Sequence, residues 1–157
     1  MPKITPFLWF DTQAEEAARY YVSLFPNSKI TSVSRYPEGS PQPAGSVMTV
    51  SFVLDGQAFT ALNGGPHYKF DNAVSFVIPT EDQAETDHYY DSLLEGGIEH
   101  ACGWVQDRYG LAWQITPNRL MELISGPDKA VAGRVMGAMM TMKKIDIAAL
   151  DAAAAAG

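Results

Sequence analysis

The chain has 157 residues, a net charge of −7 and a sequence pI of about 4.8, a size that suits one domain or two small halves sharing a core. This acidic balance, in which Lys143-Lys144 is the nearest approach to a basic cluster, excludes nucleic acid and anionic membrane surfaces as natural partners. The single cysteine, Cys102, excludes an internal disulfide and suits a cytoplasmic setting. Neither a secretory leader nor an apolar run of about 18 residues is expected.

Residues 5–10 read as a strand. Thr12-Gln13-Ala14-Glu15 sets a Glu three residues after a Thr and predicts a capping box. Ala14, Ala17, Ala18, Tyr21 and Phe25 then recur at helical spacing until Pro26 and Asn27 stop the helix. Residues 30–36 read as a strand, and 37–45, with three prolines and two glycines, as a loop. Residues 47–54 form the next strand, Asp55-Gly56 a hairpin turn and 57–62 its partner. Residues 63–70 form an irregular connection, in which Asn63-Gly64-Gly65-Pro66 lacks the Lys and the strand-to-helix context of a phosphate loop and reads as a turn bordering a cleft.

The second half repeats the scheme. A strand over 73–78 leads to a capped helix over 80–95 that ends at Gly96-Gly97. Residues 98–105 are strand-like but broken by Gly103. Arg108-Tyr109-Gly110 forms a turn, with Asp107 and Arg108 as a solvated pair. Residues 111–116 return, and 120–124 make a further short strand. Pro127 opens a helix with Asp128 in its first turn and an apolar stripe of Val131, Val135, Ala138, Met139 and Met142. Met136 and Met140 are spaced for packing at a surface, and a last helix begins near Asp146.

Two pairs of segments in the chain are self-similar. Gln13-Ala14-Glu15 recurs as Gln83-Ala84-Glu85, 70 residues on, and Gly56-Gln57-Ala58-Phe59 resembles Gly110-Leu111-Ala112-Trp113, 54 residues on. A duplicated strand–helix–strands unit follows. One copy cannot cover its own sheet from both sides, whereas paired copies can curve around a cleft.

The openings Ile4-Thr5-Pro6-Phe7-Leu8-Trp9-Phe10-Asp11, Glu15-Glu16-Ala17 and Tyr20-Tyr21, the string from Cys102 to Gly110, the run Trp113-Gln114-Ile115-Thr116-Pro117, and the string from Met139 to Asp146 together resemble the PhnB-like family of the vicinal-oxygen-chelate (glyoxalase/bleomycin-resistance/dioxygenase) superfamily. The resemblance spans nearly the whole chain. It implies an α+β fold of paired βαβββ modules, forming a curved mixed sheet around a cleft, with C-terminal helices. As one such domain the chain divides into a first module over 1–70, a second over 71–125 and helices over 126–157. The resemblance also implies a homodimer that exchanges modules.

Superfamily enzymes hold a divalent metal through His, Glu or Gln of first and last strands, which requires several converging donors and an open position. The corresponding places here offer Ile4 or Thr5, residues 73–75, Thr60 and Gln114, of which only Gln114 is a plausible ligand. His88 reads as solvated on a helix. Glu99 and His100 point to opposite faces of a strand, and His67, in the irregular connection, could reach the cleft rim or simply lie at the surface. Cys102 with His100 two residues before it would share a strand face and could act as a nucleophile, although a lone cysteine is more often a small buried apolar residue.

The expectation is a small-molecule-binding protein without the usual metal and with no cofactor. Its ligand site would be lined by Trp9, Phe59, His67, Trp104, Trp113 and Gln114. Alternatives are a metal-dependent lyase or dioxygenase-type enzyme using Gln114 and His67, and a non-catalytic dimeric interaction module. The methyltransferase label common in the family has no counterpart in a glycine-rich first turn.

Overall fold

The computed structural model describes residues 3–157. The chain forms two compact units, Met1–Lys69 and Phe70–Gly157. Each contains one βαβββ module, and three further helices follow the second module.

In the first unit, β1 (Phe7–Phe10), α1 (Ala14–Leu24), β2 (Lys29–Arg35), β3 (Val47–Leu54) and β4 (Gln57–Asn63) follow in order. The sheet runs β1-β4-β3-β2, with β1 parallel to β4 and the other pairs antiparallel. Strand side chains alternate between faces. One face buries Leu8, Phe10, Val50, Phe52, Leu54, Phe59 and Ala61 against Ala14, Ala17, Ala18 and Tyr21 of α1. The three alanines let the helix lie close to the sheet, and Tyr21, Phe52 and Phe59 fill the space as a stack with centroid separations of 6.4 and 5.4 Å. The opposite face has no helix of its own unit on it.

The local signals of this unit hold with two changes. The expected strand over 5–10 begins only at Phe7. The capping box expected at Thr12 does not form: Gln13 is the N-cap and makes no side-chain cap bond to the helix. Instead the Asn63 side chain, at the end of β4, accepts the Ala14 N–H at 2.8 Å. The same residue donates to the Val47 carbonyl and accepts from the Tyr36 hydroxyl through its own carbonyl. One tertiary residue thus satisfies a helix-start donor that a local cap was expected to serve. The hairpin signal at Asp55-Gly56 holds, since both residues have positive φ (45° and 87°), as a tight I′-type turn requires.

In the second unit, β5 (Ser75–Thr80), α2 (Gln83–Leu94), β6 (Ile98–Glu99), β7 (Trp104–Gln106) and β8 (Ala112–Pro117) repeat the order, and the sheet runs β5-β8-β7-β6. The parallel registers of the two modules correspond residue by residue. Phe7 lies opposite Thr60 in the first sheet and Val77 opposite Gln114 in the second, so both sequence offsets, 70 and 54, reappear as one structural equivalence. The strand-like run over 98–105 resolves into two strands because residues 100–103 form a turn in which Cys102 and Gly103 both take positive φ. Helix α2 starts later than expected. Thr80 is buried and bonded to Thr86, and the cap is Asp82, which accepts the Glu85 N–H.

Residues 120–124, expected to be a strand, belong instead to helix α3 (Asn118–Ile124). Leu120, Leu123 and Ile124 stand at i, i+3 and i+4, a helical spacing, and pack with Val135 of α4 (Lys129–Met140), Ile145, and Leu150 of α5 (Ile147–Ala155). The helix expected to open at Pro127, with Asp128 in its first turn, starts instead at Lys129 with Asp128 as its N-cap, and the last helix, expected near Asp146, has Asp146 as its N-cap. Gln83 fastens this layer to α2 by donating to the Ile145 carbonyl and accepting the Ile147 N–H.

Lys144 reaches Asp87 and Asp91 at 3.2 and 2.9 Å and lies 5.5 Å from the centroid of the Tyr90 ring. Burial, and after it the hydrogen bond from the Tyr90 hydroxyl to Glu99 (2.6 Å), push the phenol well above its ordinary value of 10.0. The folded state therefore holds this proton where the unfolded chain has released it, so stability falls as pH rises above about 10. Replacement Tyr90→Phe is expected to flatten part of that alkaline decline, read as urea midpoints across alkaline pH.

Asp107, expected to be solvated, is 3% exposed. Its Oδ1 accepts the N–H groups of Tyr109 and Leu111 at 2.9 and 3.1 Å, and Oδ2 accepts the Trp113 indole N–H at 2.9 Å. One carboxylate thus closes the turn before β8 and fixes the ring behind it. Asp107→Ala strands these donors, two of them in bonds buried from water, and is expected to cost about 3 kcal/mol or more. The measurement is a lowered urea midpoint at unchanged slope, and Asp107→Asn should fall between the two.

Candidate functional site

Because directly opposed residues share a sheet face, the registers divide the residues expected to line a site. In the first sheet the uncovered face carries two cross-strand rows. Phe7, Thr60, Ser51 and Ser32 form one, and Trp9, Leu62, Thr49 and Ser34 the other. Trp9 thus stands on the uncovered face. Phe59 points the other way, 5% exposed in the helix-side core, and is corrected from a lining residue to a packing one. In the second sheet, Gln114 and Trp104 are opposed on the uncovered face with Val77. Trp113, 3% exposed and held by Asp107, faces the core and is corrected in the same way. Alternation alone says that residues 113 and 114 point apart. Which of them faces the helix depends on where α2 packs.

Trp9 is oriented by the turn that follows β4. Its indole N–H donates to the Gly65 carbonyl at 2.9 Å, and its ring meets Tyr68 edge-on at 4.9 Å. His67, exposed in the connection after β4, lies 6.4 Å from the Trp9 ring centroid. A side chain at position 64 would put its Cβ 2.3 Å from Trp9 Cζ2, so the glycine pair read as a cleft-bordering turn exists to let the indole lie against backbone. Tyr68 was not among the expected residues. Its spacing in an irregular segment carries no periodic signal. A shallow pocket of about 310 Å³ opens at the adjoining strand ends, among Asp11, Glu15, Tyr36, Gln42 and Asn63.

Gln114 donates from Nε2 to Ser75 Oγ at 2.8 Å, and no partner for its Oε1 is seen among the described residues. The fixed amide therefore presents a hydrogen-bond acceptor beside Trp104. His100 reaches Gln106 Oε1 at 3.4 Å, and Gln106 donates to the Gly110 carbonyl at 3.3 Å. Cys102 does not share a strand face with His100. It sits in the 100–103 turn at φ 62°, with its N–H on the Met142 carbonyl.

The registers also locate the positions that would bring metal donors together. The residue facing Thr60 across the parallel pair is Phe7, not Ile4 or Thr5, and the residue facing Gln114 is Val77, not one of residues 73–75. Each parallel pair thus contributes one apolar side chain and one uncharged polar one. Among the described residues no group of three or more His, Cys, Asp and Glu could hold a metal ion. Hydroxyl, amide and phenyl groups do not make the charged or imidazole donor set of a divalent transition metal, and the residues present do not fit one.

With the fold and these faces defined, the chain can be set beside known proteins. Residues 2–116 match the family described as 3-demethylubiquinone-9 3-methyltransferase. Among solved structures, a Bacillus cereus PhnB protein under that methyltransferase description is similar at a TM-score of 0.68 and 35% identity, over 74% of this chain and 99% of that one. A Pseudomonas aeruginosa protein shares the fold at a TM-score of 0.62 and 23% identity, over 74% of this chain and 98% of that one. No curated protein matches. The family match stops before α3, so the string from Met139 to Asp146 lies outside it.

The two kinds of aromatic residue are expected to separate on substitution. Phe59→Ala empties a buried site and should cost about 3–5 kcal/mol. Trp9→Ala, on the uncovered face, should cost less and weaken ligand binding instead. Urea unfolding measures the first effect and ligand titration the second.

Proposed function

We propose, starting from the fact that the chain belongs to the PhnB-like family of the vicinal-oxygen-chelate superfamily, whose family description is 3-demethylubiquinone-9 3-methyltransferase, that it is a metal-independent small-molecule-binding protein. The observation that carries the reading is the pair of equivalent positions Phe7/Thr60 and Val77/Gln114. Each pair sets one apolar side chain beside one uncharged polar one, and neither contains a carboxylate, imidazole or thiol. Trp9 with Thr60, and Trp104 with Gln114, supply an apolar surface beside a few placed polar groups, the composition of a ligand site.

The methyltransferase description is not carried over to this chain. Neither strand-to-helix connection, residues 11–13 or 81–82, contains a glycine, and neither sheet is the doubly wound parallel sheet on which a nucleotide-like cofactor sits at a strand end. The reading includes a homodimer, tested by light scattering, and a cytoplasmic setting, on which the lone Cys102 bears. Among the described residues no helix is long and apolar enough to cross a membrane.

Elemental mass spectrometry of protein purified without chelator or affinity tag tests the reading directly. The expected result is substoichiometric metal. Titration with Zn, Ni, Mn and Fe(II) is expected to leave the melting temperature within about 1 °C, because a ligand that binds only the native state must raise it. Stoichiometric metal with a clear rise in melting temperature would return the enzyme reading.

A further inference from the structure

The first sheet carries an arrangement that follows from no single strand. Strand β2 holds Ile30, Ser32 and Ser34 at alternate positions, so a regular strand would turn all three to one face. Ile30 does lie opposite Phe52, on the helix side. A register shift at Thr31 then places Ser32 opposite Ser51 and Ser34 opposite Thr49, on the uncovered side. The bulge thus re-aims both serines away from α1, the use bulges commonly have beside binding sites.

The result is a transverse row, Phe7–Thr60–Ser51–Ser32, that crosses all four strands. In the neighbouring row Ser34 and Thr49 bond to each other. In the transverse row no side-chain partner is seen for Ser32, Ser51 or Thr60 among the described residues. No buried side-chain nitrogen or oxygen among those residues lacks a partner, so these three hydroxyls are open to solvent or ligand. Adjacent strands are about 4.8 Å apart, and the three hydroxyls therefore span roughly 10 Å. Phe7, 59% exposed, ends the row, and Trp9 stands two residues along on the same face. Neither row contains a charged side chain.

We propose that this hydroxyl row, ended by Phe7 and flanked by Trp9, binds an uncharged polyhydroxylated ring attached to an aromatic or other apolar group, as in an aryl glycoside. The hydroxyls both donate and accept along one line, matching a ring edge that does the same, and the aromatic side chains take the apolar part. An anionic ligand would find no cation in either row to offset its desolvation; the neighbouring Arg35, opposite Val47, donates to the Gly45 carbonyl at 3.1 Å. The inference rests on the small-molecule reading above and narrows it to a ligand class.

The test is titration of the full ¹⁵N-labelled chain, followed by NMR, with p-nitrophenyl β-glucoside, with p-nitrophenol and with phenyl phosphate. The expected result is shifts at Ser51, Thr60 and the Trp9 indole N–H, with the glucoside bound roughly tenfold more tightly than either comparator. Ser51→Ala and Thr60→Val should each weaken glucoside binding roughly fivefold, the loss of about one hydrogen bond, while leaving the melting temperature unchanged. Binding of p-nitrophenol or phenyl phosphate as tight as that of the glucoside, or glucoside binding indifferent to both substitutions, overturns the hydroxyl-row proposal and leaves the broader ligand-site reading standing. Absence of shifts with all three probes removes the hydroxyl-row proposal, and stoichiometric metal is the separate result that removes the broader reading.

Discussion

In each unit a parallel pair joins the first strand to the last, and the rest of the architecture follows from that pairing. A parallel neighbour cannot be reached by a tight turn, so the chain between must cross over, and here it does so through one helix and two further strands. The helix has room on one face of its four-stranded sheet. Strand alternation then commits every second side chain to that face and the remainder to the other. Alanines, aromatics and aliphatics meet on the covered side of the first unit. The uncovered side is left with the side chains that did not have to pack there.

This division explains why chemistry on the uncovered face can change while the fold stays. The core residues of the two units differ in kind, with Tyr21, Phe52 and Phe59 in one and Trp113, Tyr90 and Ile115 in the other, yet both are apolar and buried. The exposed members of the parallel pairs are under no such constraint. Phe7 with Thr60 and Val77 with Gln114 occupy equivalent places in the two parallel pairs, each pair combining one apolar and one uncharged polar side chain. The bulge at Thr31 belongs to the same logic, since it moves two serines out of a core that has no partners to offer them.

Two polar arrangements, one half-buried and one buried, hold this frame. Asn63 fills the open donor at the start of α1 and ties it to the start of β3. Asp107 collects three N–H donors at the turn before β8 and fixes the back of Trp113. Each satisfies donors that an apolar replacement would leave without partners, and at Asp107, where two of the bonds are buried, a donor left so costs more than its bond contributes when made.

The sequence by itself determined the features that local physics encodes. The repeated segments follow from self-similarity at fixed offsets, and the hairpin at Asp55-Gly56, the apolar stripes of α1 and α4 and the helix start near Asp146 from spacing, turn chemistry and capping within a few residues. It also put Trp9, Trp104 and Gln114 among the candidate recognition residues, because aromatic and amide side chains in strands are conspicuous. Only the tertiary structure decided which of two adjacent strand residues faces inward, because that depends on where the helix lies and not on alternation. Phe59 and Trp113 went to the core for that reason. Residues 118–124 became helical because Leu120, Leu123 and Ile124 found Val135, Ile145 and Leu150 to pack against. The cap at Ala14, the burial of Asp107 and the turning of Ser32 and Ser34 each rest on a partner distant in the chain or on a pairing register, and neither is written in any single segment.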